Sequence, residues 1–84
     1  MKRRISFEPI EFIHMIATTN MDSYEKPNAV ASIFFMSDWF SKKPFPVTHV
    51  VTYGENATEE KALDMLTKRI EDYLGKKVST KRDY

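Results

Sequence analysis

The run Ala29-Val-Ala-Ser-Ile-Phe-Phe-Met36 constrains the fold more than any other part of the chain. Extended, it places Ala29, Ala31, Ile33 and Phe35 on one side and Val30, Phe34 and Met36 on the other, interrupted only by Ser32. A strand apolar on both sides is central in a sheet, or is covered on its second side by something else. At 84 residues there is material for one small core, so residues 1–84 are expected to form a single domain. What covers the second side of this strand then becomes the main question about the molecule.

One cover is visible. Ala62, Leu63, Leu66, Ile70, Tyr73 and Leu74 follow the i, i+3, i+4 spacing of a single buried stripe and predict a helix over 57–74. Asn56 or Thr58 supplies its cap, and Glu59 and Glu60 put negative charge in its first turn. Gly75 supplies the left-handed position that ends it, with Lys76 and Lys77 beside the negative end. Asp64 with Lys68 and Arg69 with Asp72 are spaced as surface pairs on its wet side.

A second β-rich run, Val47-Thr-His-Val-Val-Thr-Tyr53, alternates Val47, His49, Val51 and Tyr53 with Thr48, Val50 and Thr52. The segment Ser41-Lys-Lys-Pro-Phe-Pro46 lies between the two runs, and its prolines make it a hairpin loop. Ile10 to Thr19 has two readings. Ser6 as a cap, Pro9 in a first turn and a stripe of Ile10, Ile13, His14 and Ala17 describe a helix. The β-branched Ile10, Ile13, Ile16, Thr18 and Thr19 favour a strand, since such residues lose rotamer freedom in a helix and pack well on a pleated surface. The strand is preferred, with Asn20 to Asn28 as the turn that follows it.

The expected fold is therefore α+β, a three-stranded antiparallel meander followed by one amphipathic helix (β-β-β-α), with α-β-β-α as the alternative. The basic ends, 1–4 and 76–84, are expected to be flexible, Val78 being able to add a short edge strand. One helix covers one sheet face. The apolar surface left on the other predicts a homodimer, or a partner, seated there.

Composition narrows the class. The chain has no Cys, which removes disulfides and thiolate metal sites. Charge-free stretches such as Phe12 to Met21 are too short for a spanning helix, and Glu8 and Pro9 interrupt the apolar run that a secretory signal needs after Lys2, Arg3 and Arg4. A cytoplasmic location is expected.

His14 and His49 are the only imidazoles, too few for a metal centre without thiolates, and on a strand Glu11 and His14 point to opposite sides. Only Gly54 and Gly75 are available for tight turns, which provides neither a nucleophile elbow nor a phosphate-cradling loop. No catalytic residue, metal or cofactor is expected, and the protein is read as not an enzyme. Trp39, Phe40 and Phe45 surround Lys42 and Lys43 at the hairpin tip. Aromatics of this kind close a core, anchor a protein partner, or stack on nucleobases while lysines meet phosphates.

The formal charge of +1 is uneven: residues 1–4 and 76–84 each carry +3, leaving −5 between them. The first functional expectation is a small accessory, adaptor or inhibitor protein, of phage or mobile-element type by its size, binding a protein through Trp39, Phe40, Lys42, Lys43 and Phe45. The alternative is a nucleic-acid-binding accessory protein using Lys2, Arg3, Arg4, Lys76, Lys77, Lys81 and Arg82 with the aromatic loop.

Overall fold

A computed structural model describes residues 1–8, 11–21, 23–37, 47–75 and 77–82. Five strands form one antiparallel sheet: β1 (Lys2–Glu8), β2 (Glu11–Met21), β3 (Pro27–Met36), β4 (His49–Tyr53) and β5 (Ser79–Arg82). A single 3-10 turn (Gly54–Asn56) and one α-helix, α1 (Glu59–Leu74), separate β4 from β5. The spatial order is β4-β3-β2-β1-β5. The class is α+β, as expected.

Of the segment Ile10 to Thr19, Glu11 to Thr19 follows the strand reading within β2, which removes the α-β-β-α alternative; Ile10 lies outside the described residues. The three-strand count needs correction, because β1 and β5 add to the meander at one edge. Both were hard to see for one reason. Their sequences, KRRISFE and STKR, are mostly charged or polar, with Ile5 the one β1 side chain in the core, so the backbone pairing leaves little apolar alternation to read. Residues 2–4 and 79–82, expected among flexible ends, thus stand side by side in the sheet, Arg3 opposite Arg82 and Arg4 opposite Lys81.

Helix α1 begins where capping chemistry puts it. The Thr58 hydroxyl accepts a hydrogen bond from the Lys61 N–H at 3.1 Å, and Glu59 and Glu60 occupy the first turn. Gly75, at φ 77°, closes it, its N–H bonded to the Glu71 carbonyl. Beyond the helix the Glu71 carboxylate accepts from the Val78 N–H at 3.0 Å, holding the chain as it turns into β5.

The core lies between α1 and one face of the sheet. Ala62, Leu63, Leu66 and Ile70 of the helix meet Ile5, Ile13, Met15, Ala17, Ala29, Ala31 and Val50. Alanines at 17, 29 and 31 remove side-chain bulk from the central strands and let the helix lie close. Tyr73, expected in the stripe, is instead 44% exposed, and Thr67 is buried in the helix's inner surface. Its hydroxyl donates to the Leu63 carbonyl at 2.7 Å. Thr52 also faces inward, its hydroxyl donating to the Ala29 carbonyl at 3.5 Å. No helix among the described residues is long and apolar enough to cross a membrane.

Candidate functional site

The sheet face opposite α1 has no element packed on it among the described residues. Pairing register lays its side chains out in rows. Arg4, His14 and Phe35 form one row, with Lys81 at the next register position on β5. Lys2, Ile16, Ser32 and His49 form the next; then come Thr18, Val30 and Val51, followed by Asn20, Asn28 and Tyr53. Ser6 and Phe12 lie on the other side of the Arg4 row.

A bulge shapes the aromatic end. The register of β2 on β3 shifts between His14 and Met15, so that His14 stands opposite Phe35 and Met15 opposite Ile33. Phe34 is the extra residue. Strict alternation would place Phe34 and Phe35 on opposite faces; across the bulge both turn to the uncovered face. Met36 turns in against the core, reversing the sides expected for Phe35 and Met36. Phe12 stacks on Phe35 with ring centroids 5.8 Å apart and meets His14 edge-on at 5.2 Å. The His14 ring lies 5.6 Å from Phe34 and 5.9 Å from Phe35. These contacts fix the rings while leaving Phe34 51% and Phe35 52% exposed.

Charge divides between the layers. The five strands carry Lys2, Arg3, Arg4, Lys81 and Arg82 against Glu8 and Glu11, which pair at the end of the β1–β2 hairpin. Helix α1 carries Glu59, Glu60, Asp64, Glu71 and Asp72 against Lys61, Lys68 and Arg69. No carboxylate stands in the rows described above. Lys2 Nζ lies 5.8 Å over the Phe34 ring. Arg3, one residue on, turns to the other layer, where its Nη1 donates to Asp64 Oδ1 at 2.7 Å and to Thr67 Oγ1 at 3.4 Å.

The expected nucleic-acid set therefore splits. Lys2 and Arg4 sit on the uncovered face, Arg3 is engaged with α1, Lys77 is exposed before β5, and Lys81 and Arg82 hold register positions beside Arg4 and Arg3. Lys76 lies outside the described residues, as do Trp39, Phe40, Lys42, Lys43 and Phe45 of the expected protein-binding tip. His14 and His49 share the uncovered face but are separated by β3, His14 opposite Phe35 and His49 opposite Ser32. No cluster of metal-ligating side chains exists among the described residues.

Two open depressions lie on the helix side, one at Lys68, Glu71, Asp72, Gly75 and Lys77, the other at Thr58, Glu59, Glu60, Lys61 and Asp64 with Met1. Both are lined by ordinary helix-end charges, without the convergent polar groups in an apolar cleft that a substrate site has. Phe12, Phe34, Phe35 and Tyr53 were all visible in the sequence as apolar residues; their meeting on one face depends on the bulge and on strand register. No known family model matches this chain, and no curated protein or solved structure is significantly similar to it.

Proposed function

We propose that this protein is a non-catalytic binding module that holds a macromolecule against the uncovered face of its sheet. The observation carrying the reading is the pair Phe34 and Phe35, both turned outward by the bulge, braced by Phe12 and His14, and still half in water. Exposed rings grouped with Ile16, Val30 and Val51 make a continuous apolar surface, which on a small domain marks a contact region more often than chance exposure does. A rigid face also loses little side-chain freedom on binding.

Affinity capture from native cell extract, with half of each sample treated with nuclease, tests this. Wild type and the helix-face variant Lys68→Ser are expected to retain the same cargo. Phe34→Ser/Phe35→Ser is expected to lose it at an unchanged melting temperature. Cargo that survives the double substitution in a folded protein removes the uncovered face from the function.

A further inference from the structure

We infer that the occupant of the uncovered face is a single-stranded nucleic acid, its bases stacked on Phe34 and Phe35 and its phosphates met by Lys2 and Arg4; this rests on the binding-face reading above. Four observations lead there. Phe34 and Phe35 sit on β3, and Lys2 and Arg4 line β1, two strands away across β2. Arg4 is directly beside His14, which is directly beside Phe35; Lys2 reaches over Phe34 itself. Aromatic faces with cations set to one side are the arrangement a single strand needs, because its bases are free to unstack and its backbone runs alongside.

Second, the rows that hold Lys2 and Arg4 contain no carboxylate among the described side chains, which suits a polyanion. Third, Asp64 answers Arg3, whereas Arg4 has no ion pair among the described residues, so its guanidinium is left to meet a phosphate. Fourth, the charge of Lys2 and Arg4 argues against a second copy of this chain. A two-fold dimer through this face sets Lys2 and Arg4 of each copy against a surface of the same sign, with no carboxylate among the described side chains of these rows to receive them.

Fluorescence anisotropy tests the inference with labelled oligouridylate and oligothymidylate of about 16 nucleotides, the upper range for one small fold, beside a duplex of mixed sequence and poly-L-glutamate as competitor. Both single strands are expected to bind, more tightly than the duplex, and to raise the melting temperature. Phe34→Ala/Phe35→Ala is expected to weaken binding at least about tenfold. Phe34→Leu/Phe35→Leu keeps apolar volume but has no ring face, and is expected to show the same loss without the same risk to folding. Arg4→Gln is expected to weaken binding and to reduce the salt slope by about 0.7, while the helix-face variant Arg69→Gln changes neither.

The inference is overturned by no binding of either strand at low salt, by leucine variants that bind as wild type, or by equal losses from Arg4→Gln and Arg69→Gln. Poly-L-glutamate competing with the same dependence on the rings assigns the face to an acidic protein. A dimer in light scattering that the leucine pair dissolves assigns it to a second copy. If oligonucleotides fail but captured cargo still depends on Phe34 and Phe35, this inference falls while the binding-face reading stands.

Discussion

The two faces of the sheet are built from the same strands and differ in how completely their side chains are used. On the α1 side, Ile5, Ile13, Met15, Leu63, Leu66 and Ile70 are each fully buried. On the other side Phe34, Phe35, Val51 and Tyr53 are exposed, and the rings there brace one another by stacked and edge-to-face contacts. The covered face stabilises the fold. The uncovered face keeps much of its apolar surface in water.

Truncations on the two faces should separate this most widely. Leu66→Ala leaves a cavity beneath the helix and is expected to cost about 2–5 kcal/mol, a large share of the stability of so small a domain. Phe35→Ala removes a bigger side chain but one already half in water, and is expected to cost about 1 kcal/mol. Urea midpoints of the two variants give the comparison directly. A Phe35→Ala loss equal to that of Leu66→Ala returns the aromatic cluster to the core and removes the distinction.

How much of this contrast could be read beforehand depended on the kind of residue. Helix α1 was legible nearly to its ends because Thr58, the apolar stripe and Gly75 each act locally. The two-sided apolar run of β3 correctly implied one face left over. Three things were not legible. Backbone pairing recruited β1 and β5, whose mostly charged and polar sequences mask the one core residue, Ile5, that β1 supplies. The bulge exchanged the sides of Phe35 and Met36, a one-residue register effect that no propensity predicts. The basic ends lay far apart in sequence, so their union across β1 and β5 followed only from topology.

That union is held by few interactions, which makes the edge of the sheet the next place to press. Glu71 reaches from the last turn of α1 to the Val78 N–H, and removing it by Glu71→Ala is expected to cost about 1 kcal/mol. The loss should be local. Hydrogen exchange is expected to quicken in β5 and along its pairing with β1, while β2 and β3 keep their protection. Oligonucleotide affinity should fall with it, because β1, which carries Lys2 and Arg4, then loses its edge partner. Uniform quickening across the sheet would make β5 part of one cooperative unit and deny it a separate role.

A gain is expected where the covered face contains a polar group that earns little. Thr52 points into the core, and its hydroxyl reaches the Ala29 carbonyl only at 3.5 Å, at the limit of a hydrogen bond. Thr52→Val keeps the shape and removes the hydroxyl's desolvation, so a stabilisation of roughly 0.5–1 kcal/mol is expected. Thermal midpoints should rise by a few degrees, on the order of 4–8 °C per kcal/mol for a domain of this size. A drop instead would show that this long contact matters to how β4 sits on β3.

The smallest effect distinguishes Arg3 from its neighbours. The three consecutive bases Lys2, Arg3 and Arg4 look equivalent in the sequence, yet alternation along β1 sends the middle one to the helix layer. The Arg3 side chain is 15% exposed and that of Asp64 63%, so their 2.7 Å pair is half-open to water and screened by salt. Arg3→Gln is expected to cost under about 1 kcal/mol in low salt and less as salt is raised. Its effect on oligonucleotide affinity should be slight. Arg4→Gln is expected to do the reverse, leaving the melting temperature unchanged, since Arg4 has no ion pair among the described residues, while weakening the single strand. Measured together, the pair asks whether one residue of strand register is enough to divide structural from binding charge. Equal affinity losses would mean that only the total charge of β1 matters, and that the uncovered face has no privileged role in meeting phosphate.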